Sequence, residues 1–190
     1  MPTKIVIITG LSGAGKTTLL DAIPGRRYRV VTIGTLMEKD GIEKGFVKNR
    51  DELKTLDHKR FNRLRRDAYA QFSKIKGDLI LDTHTTIEKE PKLEPALPLS
   101  FIKGLNIRAF IYVNASSEEI MARREKDSRL RPRERQSYAA LDIQRIVDLS
   151  ILGYLSTHIN APLYIINNGE GRIGAASKEL SKAVAESFSD

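Results

Sequence analysis

The 190-residue chain has no cysteine. Disulfide bonding, thiolate catalysis and cysteine-based zinc sites are therefore excluded, and no zinc is expected. Long apolar runs are also missing. The early run Ile5–Ile8 is too short for the core of a secretory signal and leads straight into glycine-rich sequence. No stretch approaches the ~20 apolar residues that a membrane helix needs. The expectation is a soluble, cytoplasmic protein with no membrane partner. Repeats, linkers and low-complexity tracts are absent, which leaves one domain over residues 1–190. There is no Asn-Lys-x-Asp guanine reader, so the sequence does not suit a GTP-dependent switch.

What is present suits a packed enzyme core: 41% hydrophobic and 29% charged residues. The net charge of +8 is unevenly placed. Residues 48–66 carry +5 and residues 123–135 carry +4, so the rest of the chain sums to −1. Two basic segments in an otherwise neutral chain suit a small polyanionic ligand. A nucleic-acid groove is the rival reading, and a solvated helix face the plain one. A groove for single strands would interleave aromatics with the cations, and these segments hold only Phe61. No nucleic-acid partner is expected.

The chain alternates between two periodicities. Thr3–Thr9, Tyr28–Ile33, Asp78–Asp82, Ile107–Val113 and Leu163–Ile166 are short, apolar and β-branched, as buried strands are. Between them, Lys16–Ile23, Ile42–Phe72, a segment capped by Ser116 or Ser117 and running through Arg124, Leu141–Leu155 and Ala175–Phe188 predict helices. Pro91, Pro95 and Pro98 predict an irregular loop. Continuous rather than alternating apolar strands, each followed by a helix, predict an α/β fold with a parallel sheet covered on both faces.

One motif carries specific chemistry. Gly10-Leu11-Ser12-Gly13-Ala14-Gly15-Lys16-Thr17 matches G-x-x-x-x-G-K-[ST] in full, after an expected strand and before an expected helix. Glycines let the backbone curl so that several N–H groups face one phosphate, and the helix start adds its positive dipole end. Lys16 would reach the β- and γ-phosphates of a nucleoside triphosphate, and the Thr17 hydroxyl would hold Mg²⁺. At the end of an apolar strand, Asp82 is the second expected Mg²⁺ residue, acting through water. His84 follows it and is a candidate lining residue of the acceptor pocket.

The basic segments supply the remaining candidates. Phosphoryl transfer spreads negative charge over equatorial oxygens, and guanidinium groups closing over it stabilise that charge and exclude water. Arg124, Arg129 and Arg131 are assigned to this lid function together with Lys16 as catalytic cations. An acceptor phosphate needs a cation of its own, for which Arg50 is the candidate. Arg60, Arg63, Arg65 and Arg66 are expected on a wet helix face.

These features together resemble the archaeal adenylate kinase family. The resemblance runs from Val6-Ile7-Ile8-Thr9-Gly10 and the phosphate loop through Ile33-Gly34-Thr35-Leu36-Met37 and Arg50-Asp51-Glu52-Leu53-Lys54-Thr55-Leu56. It continues through Leu81-Asp82-Thr83-His84-Thr85, Leu97-Pro98 and the Arg123–Arg131 region to Ile165–Asn168. It implies a P-loop three-layer fold with a five-stranded parallel sheet, an acceptor-binding arm over about 35–72 and a short lid over about 126–136. It implies the reaction Mg·ATP + AMP ⇌ 2 ADP and a homotrimer. On it, Gly10–Thr18 bind ATP, with Thr18 the last residue of that run, Thr35 and Arg50 hold AMP, and the loop after Ile166 with Gly169 lies against the adenine. The chain departs from the family at Ile87-Glu88-Lys89-Glu90-Pro91, where Glu88 stands at the place of an expected phosphate-binding arginine and Lys89 is the available substitute. Two alternatives stay open: a monophosphate kinase accepting CMP, UMP or GMP, and an ATP-binding RNA or assembly factor on the same fold.

Overall fold

Ile5–Thr9 has the sequence IVIIT, and each of its residues is buried. A strand covered on both faces must also find partners on both edges, and the rest of the fold supplies them. The structure is a computed structural model describing residues 3–23, 28–89, 92–127 and 136–189, the Lys54 side chain excepted. In chain order the strands are β1 (Ile5–Thr9), β2 (Arg29–Thr32), β3 (Leu79–Asp82), β4 (Thr86–Lys89), β5 (Lys92–Pro95), β6 (Ile107–Asn114) and β7 (Leu163–Asn167). The helices are α1 (Lys16–Asp21), α2 (Ile33–Glu43), α3 (His58–Phe72), α4 (Leu99–Ile102), α5 (Ser117–Asp127), α6 (Tyr138–Ile159) and α7 (Ile173–Phe188), with a 3-10 helix at Asp51–Thr55.

Five strands form a parallel sheet in the order β2-β3-β1-β6-β7. Side chains alternate across it. Ile5, Ile7, Leu79, Leu81, Phe110 and Tyr112 pack on one face with Phe61, Leu64 and Phe72 of α3 and Leu152 and Leu155 of α6. Val6, Ile8, Ile80, Ile111 and Val113 pack on the other with Leu19 and Leu20 of α1, Ile120 of α5 and Leu180 and Val184 of α7. Truncating a side chain such as the fully buried Leu64 to alanine costs about 2–5 kcal/mol. Among the described residues no helix is long and apolar enough to cross a membrane.

The sequence order reverses around β1, whose neighbours are β3 on one side and β6 on the other. In open parallel sheets the crevice outside the carboxyl ends of the strands at such a switch point is where ligands bind. Gly10, Asp82–His84, Asn114–Ser116 and Asn167–Asn168 all lie at that end.

Three expectations are corrected. A helix begins at Ile33, directly after β2, where a strand was expected to continue and helix to start only at Ile42. The segment from 42 to 72 is not one helix: α2 ends at Glu43, and Gly45, at φ 66°, turns the chain before the 3-10 helix and α3. The proline-marked loop contains an antiparallel strand pair, β4 with β5, with Thr86 opposite Pro95. Pro95 is tolerated because it sits at the end of a two-stranded ribbon, where its missing N–H breaks no ladder.

Candidate active site

The phosphate loop follows β1, and its shape rests on glycine at three points. Gly10, Gly13 and Gly15 have φ of 144°, 93° and 92°. A Cβ on Gly10 would lie 2.4 Å from the Val113 carbonyl oxygen, and one on Gly15 would lie 2.4 Å from Asn168 Nδ2. Glycine is therefore required at both positions by conformation and by space. Gly15 precedes α1, so the first helical N–H groups open toward the loop.

Lys16 opens α1 and is buried. Its Nζ donates to the Gly10 carbonyl at 2.7 Å and to Leu11 at 3.4 Å. Burial lowers its pKa, while the charges of Asp82 and Asp148 push it back up and Arg50 lowers it further. The ammonium is thus a desolvated cation inside the loop, aimed at oxygen acceptors, which is the condition in which a phosphate gains most from it.

The loop is braced from outside by side chains of two later elements. Arg123 of α5 donates from Nη1 to the Ala14 carbonyl at 3.1 Å and from Nη2 to the Asn168 carbonyl at 2.7 Å. Asn168, after β7, donates from Nδ2 to the Ala14 carbonyl at 2.8 Å. Arg124 donates from Nε and Nη2 to the Ser12 carbonyl at 3.1 and 2.8 Å, and from Nη1 to Gln136 Oε1 at 2.6 Å. With loop carbonyls held outward, loop N–H groups are left to face a ligand. Arg124 was expected as a lid cation, and its guanidinium does lie at the loop. Arg129 and Arg131 lie outside the described residues.

Asp82 ends β3 beside β1 and is buried. Thr32 donates to its Oδ2 at 3.3 Å, whereas Oδ1 is buried without a hydrogen bond. Burial raises its pKa, opposed by the Lys16 charge, the Thr32 hydroxyl and Arg50. A buried carboxylate oxygen lacking a partner is costly unless a cation or water completes it. Together with the exposed Thr17 side chain, the donor set is all oxygen, which suits a hard cation such as Mg²⁺. His84, expected on the acceptor side, is held at the donor loop: its Nδ1 lies 3.2 Å from the Gly10 carbonyl.

The acceptor candidates are brought together. Arg50 Nη1 lies 3.5 Å from Thr35 Oγ1. The guanidinium lies directly over Gly34, where a Cβ would come 2.4 Å from Arg50 Nη2. Arg50 also sits close enough to shift both Lys16 and Asp82. Lys89 is less available: its Nζ lies 3.9 Å from the Phe61 ring centroid and 3.7 Å from Glu94 Oε2. Of the helix-face arginines, Arg60 and Arg65 lie over the rings of Phe46 and Phe61, and Arg63 is 4.0 Å from Asp67.

A cleft of about 290 Å³ opens beside the phosphate loop, between α5 and the segment after β7, lined by Gly15, Thr18, Glu119, Arg123, Asn168 and Gly169. Its rim is fixed by a capping box. Ser116 Oγ accepts the Glu119 N–H at 3.2 Å, and Glu119 Oε2 accepts the Ser116 N–H at 2.9 Å. The other Glu119 oxygen accepts the Glu170 N–H, tying the loop after β7 to the start of α5.

Comparison with known proteins agrees with this geometry. A family model described as an AAA domain matches residues 9–142. The adenylate kinase of Thermoplasma acidophilum is 31% identical over 180 residues, covering 94% of this chain and 97% of that protein. The adenylate kinase of Methanothermobacter thermautotrophicus is 30% identical over 186 residues, covering 96% and 100%. The chain belongs to the archaeal adenylate kinase family. Among solved structures, shikimate kinase from Bacteroides thetaiotaomicron aligns with a TM-score of 0.59 at 18% identity over 95% of this chain and 97% of that one. Shikimate kinase from Acinetobacter baumannii in complex with shikimate aligns at 0.56 and 16% over 100% and 97%. These two share the P-loop kinase fold with the family.

Sequence reasoning missed the residues that brace the loop. Arg123 was counted only within the basic segment, yet it faces loop carbonyls. Asn168 appeared only as the end of a resemblance. Asp148, Gln144 and Gln136 carried no motif. The signal for Asp148 was available: an acid on an otherwise apolar stretch of helix, Ile146-Val147-Asp148-Leu149, needs a buried partner.

Proposed function

We propose that this chain catalyses reversible, Mg²⁺-dependent phosphoryl transfer from ATP to AMP, giving two ADP. The observation that carries the reading is the meeting of two cationic sites. The Arg50 charge bears on both Lys16 of the phosphate loop and Asp82, and Arg50 Nη1 lies 3.5 Å from Thr35 Oγ1. A donor triphosphate would be held by one site and an acceptor monophosphate by the other. The acceptor oxygen is already anionic, so no general base is required.

In this reading Gly10–Thr18 hold the ATP phosphates, Lys16 balances charge on the transferred group, and Arg124, Arg129 and Arg131 close over it. The cleft beside Gly169 receives the adenine. Thr35 and Arg50 hold the AMP phosphate, and His84 lines the junction of the two. Thr17 and Asp82 would hold Mg²⁺, the latter through water; when bound, the ion neutralises charge shared by the β- and γ-phosphates. The arm spans about 35–72 and the lid about 126–136 of a single domain, residues 1–190. A cytoplasmic homotrimer fits: α6 exposes Ile143, Ile146 and Tyr154, each more than half accessible, on its outer face. RNA partners are not part of the reading.

Glu88 favours a second reading, a kinase of broader acceptor choice, because Lys89 is already engaged by Phe61 and Glu94. One assay separates the two: Mg·ATP against AMP, CMP, UMP and GMP, measuring diphosphate formed. Transfer to AMP alone supports adenylate kinase, comparable turnover with several acceptors supports the broader enzyme, and no turnover overturns both.

A further inference from the structure

A set of buried polar side chains lies outside the roles assigned above. Asp148, Gln144, Gln136 and Thr86 are all buried, from 1% to 7% accessible. Their hydrogen bonds run in one direction. Arg124 Nη1 donates to Gln136 Oε1 at 2.6 Å, and Gln136 Nε2 donates to Gln144 Oε1 at 3.3 Å. Gln144 Nε2 then donates to Thr86 Oγ1 at 3.2 Å and to the Thr86 carbonyl at 3.3 Å. The Thr86 hydroxyl ends the chain by donating to Asp148 Oδ1 at 2.6 Å. At the far end, Arg124 grips the Ser12 carbonyl with Nε and Nη2.

Direction follows from chemistry. A guanidinium can only donate and an ionised carboxylate can only accept, so these two ends orient both amides and the hydroxyl between them. The chain joins three parts of the site. Thr86 is the first residue of the β4–β5 ribbon, Gln136 lies at the entrance to α6, and Ser12 is in the phosphate loop. The links from Gln136 through Gln144 and Thr86 to Asp148 are buried, where hydrogen bonds polarise one another and an unmade one is expensive.

We propose that Gln144 and Asp148 are positioning residues, which act through Gln136 to set the Arg124 guanidinium against the phosphate loop and so couple the ribbon carrying Glu88 and Lys89 to that loop. The functional consequence rests on the kinase reading; the mechanical coupling does not. Neither residue needs to touch a nucleotide. Gln144→Leu would fill the same space but break the chain in the middle, taking the acceptor from Gln136 Nε2 and the donor from the Thr86 carbonyl. Asparagine at 148 keeps an acceptor for the Thr86 hydroxyl, so it preserves the direction.

The test compares wild type, Gln144→Leu and Asp148→Asn by amide hydrogen exchange and by steady-state kinetics with ATP and AMP. In Gln144→Leu, exchange over residues 11–15 rises at least fivefold while exchange in α7 is unchanged. Its kcat falls about tenfold, with both KM values within about twofold of wild type. Asp148→Asn stays within about threefold of wild type on both readouts. Unchanged exchange over residues 11–15 in Gln144→Leu overturns the coupling, as does a loss in Asp148→Asn equal to that in Gln144→Leu. If Gln144→Leu does not fold, Asp148→Leu, which removes the acceptor, takes its place against the Asp148→Asn control. Absence of transfer in wild type sinks the kinase reading instead, while the exchange comparison still decides the coupling.

Discussion

On the proposed reading the phosphate loop is the donor site and residues 35–72 the acceptor arm, and the two present cations by different means. In Gly10–Thr18 much of the binding surface is backbone, shaped by three glycines of positive φ and braced through its carbonyls by Arg123, Arg124 and Asn168. In the arm the binding groups are long side chains. Arg50 is exposed, is 3.5 Å from Thr35, and lies over Gly34 in a place that a side chain there would contest. A backbone cradle is specified by a short local motif and tolerates few changes. A side-chain site is specified by residues scattered along the chain and can be retuned one residue at a time. The departure at Glu88 falls on the acceptor side.

The contrast is best broken at its strongest point. Lys16→Ala removes the one desolvated ammonium of the donor loop, and kcat is expected to fall by about 10²–10³-fold or more. Turnover near wild type would remove the loop from catalysis. On the acceptor side, Arg50→Ala deletes a charge-assisted contact of about 1.5–3 kcal/mol. The KM for AMP should then rise roughly 10–100-fold, with that for ATP nearly unchanged. The opposite ranking would move Arg50 to the donor site. Gly15→Ala tests the claim that the donor site is backbone. The new Cβ meets Asn168 Nδ2 at a position of φ 92°, so strain and displacement of the Ala14 brace should weaken ATP binding about tenfold, with AMP binding spared. Titrations of each nucleotide separately would show it.

The same contrast explains what could be foreseen. The phosphate loop, the parallel sheet and the acid at the end of β3 were legible because each is a local pattern with a fixed period or spacing. Arg50 was named from the basic segment, but its pairing with Thr35 came only through family resemblance, since fifteen residues and a break in the helix separate them. Arg123, Asn168 and the Asp148 chain were not legible. Arg123 and Asn168 bond backbone atoms and Asp148 bonds the Thr86 hydroxyl, all more than 40 residues away, and a single sequence gives no register for such contacts. The β4–β5 ribbon was missed because three prolines read as loop, whereas Pro95 tolerates an edge.

Asp148 gives the smallest but most diagnostic effect, because there stability and positioning oppose each other. Burial raises its pKa from 3.8 to about 6, opposed by the Thr86 hydroxyl and N–H and by the charge of Lys16. The buried Tyr112 hydroxyl on β6 faces the same carboxylate, with Arg145 nearby on α6. The sign follows from linkage. Between pH ~4 and ~6 the folded protein keeps a proton that the unfolded chain releases, so stability falls as pH rises through that window. Above it the full cost applies, about 3 kcal/mol for a shift of roughly two units. Asp148→Asn abolishes the titration. The variant should melt a few degrees above wild type at pH 7, and the advantage should vanish near pH 4. An advantage of equal size at both pH values would mean that folding does not raise the Asp148 pKa, and that its carboxylate is not the desolvated end of the hydrogen-bond chain to Arg124.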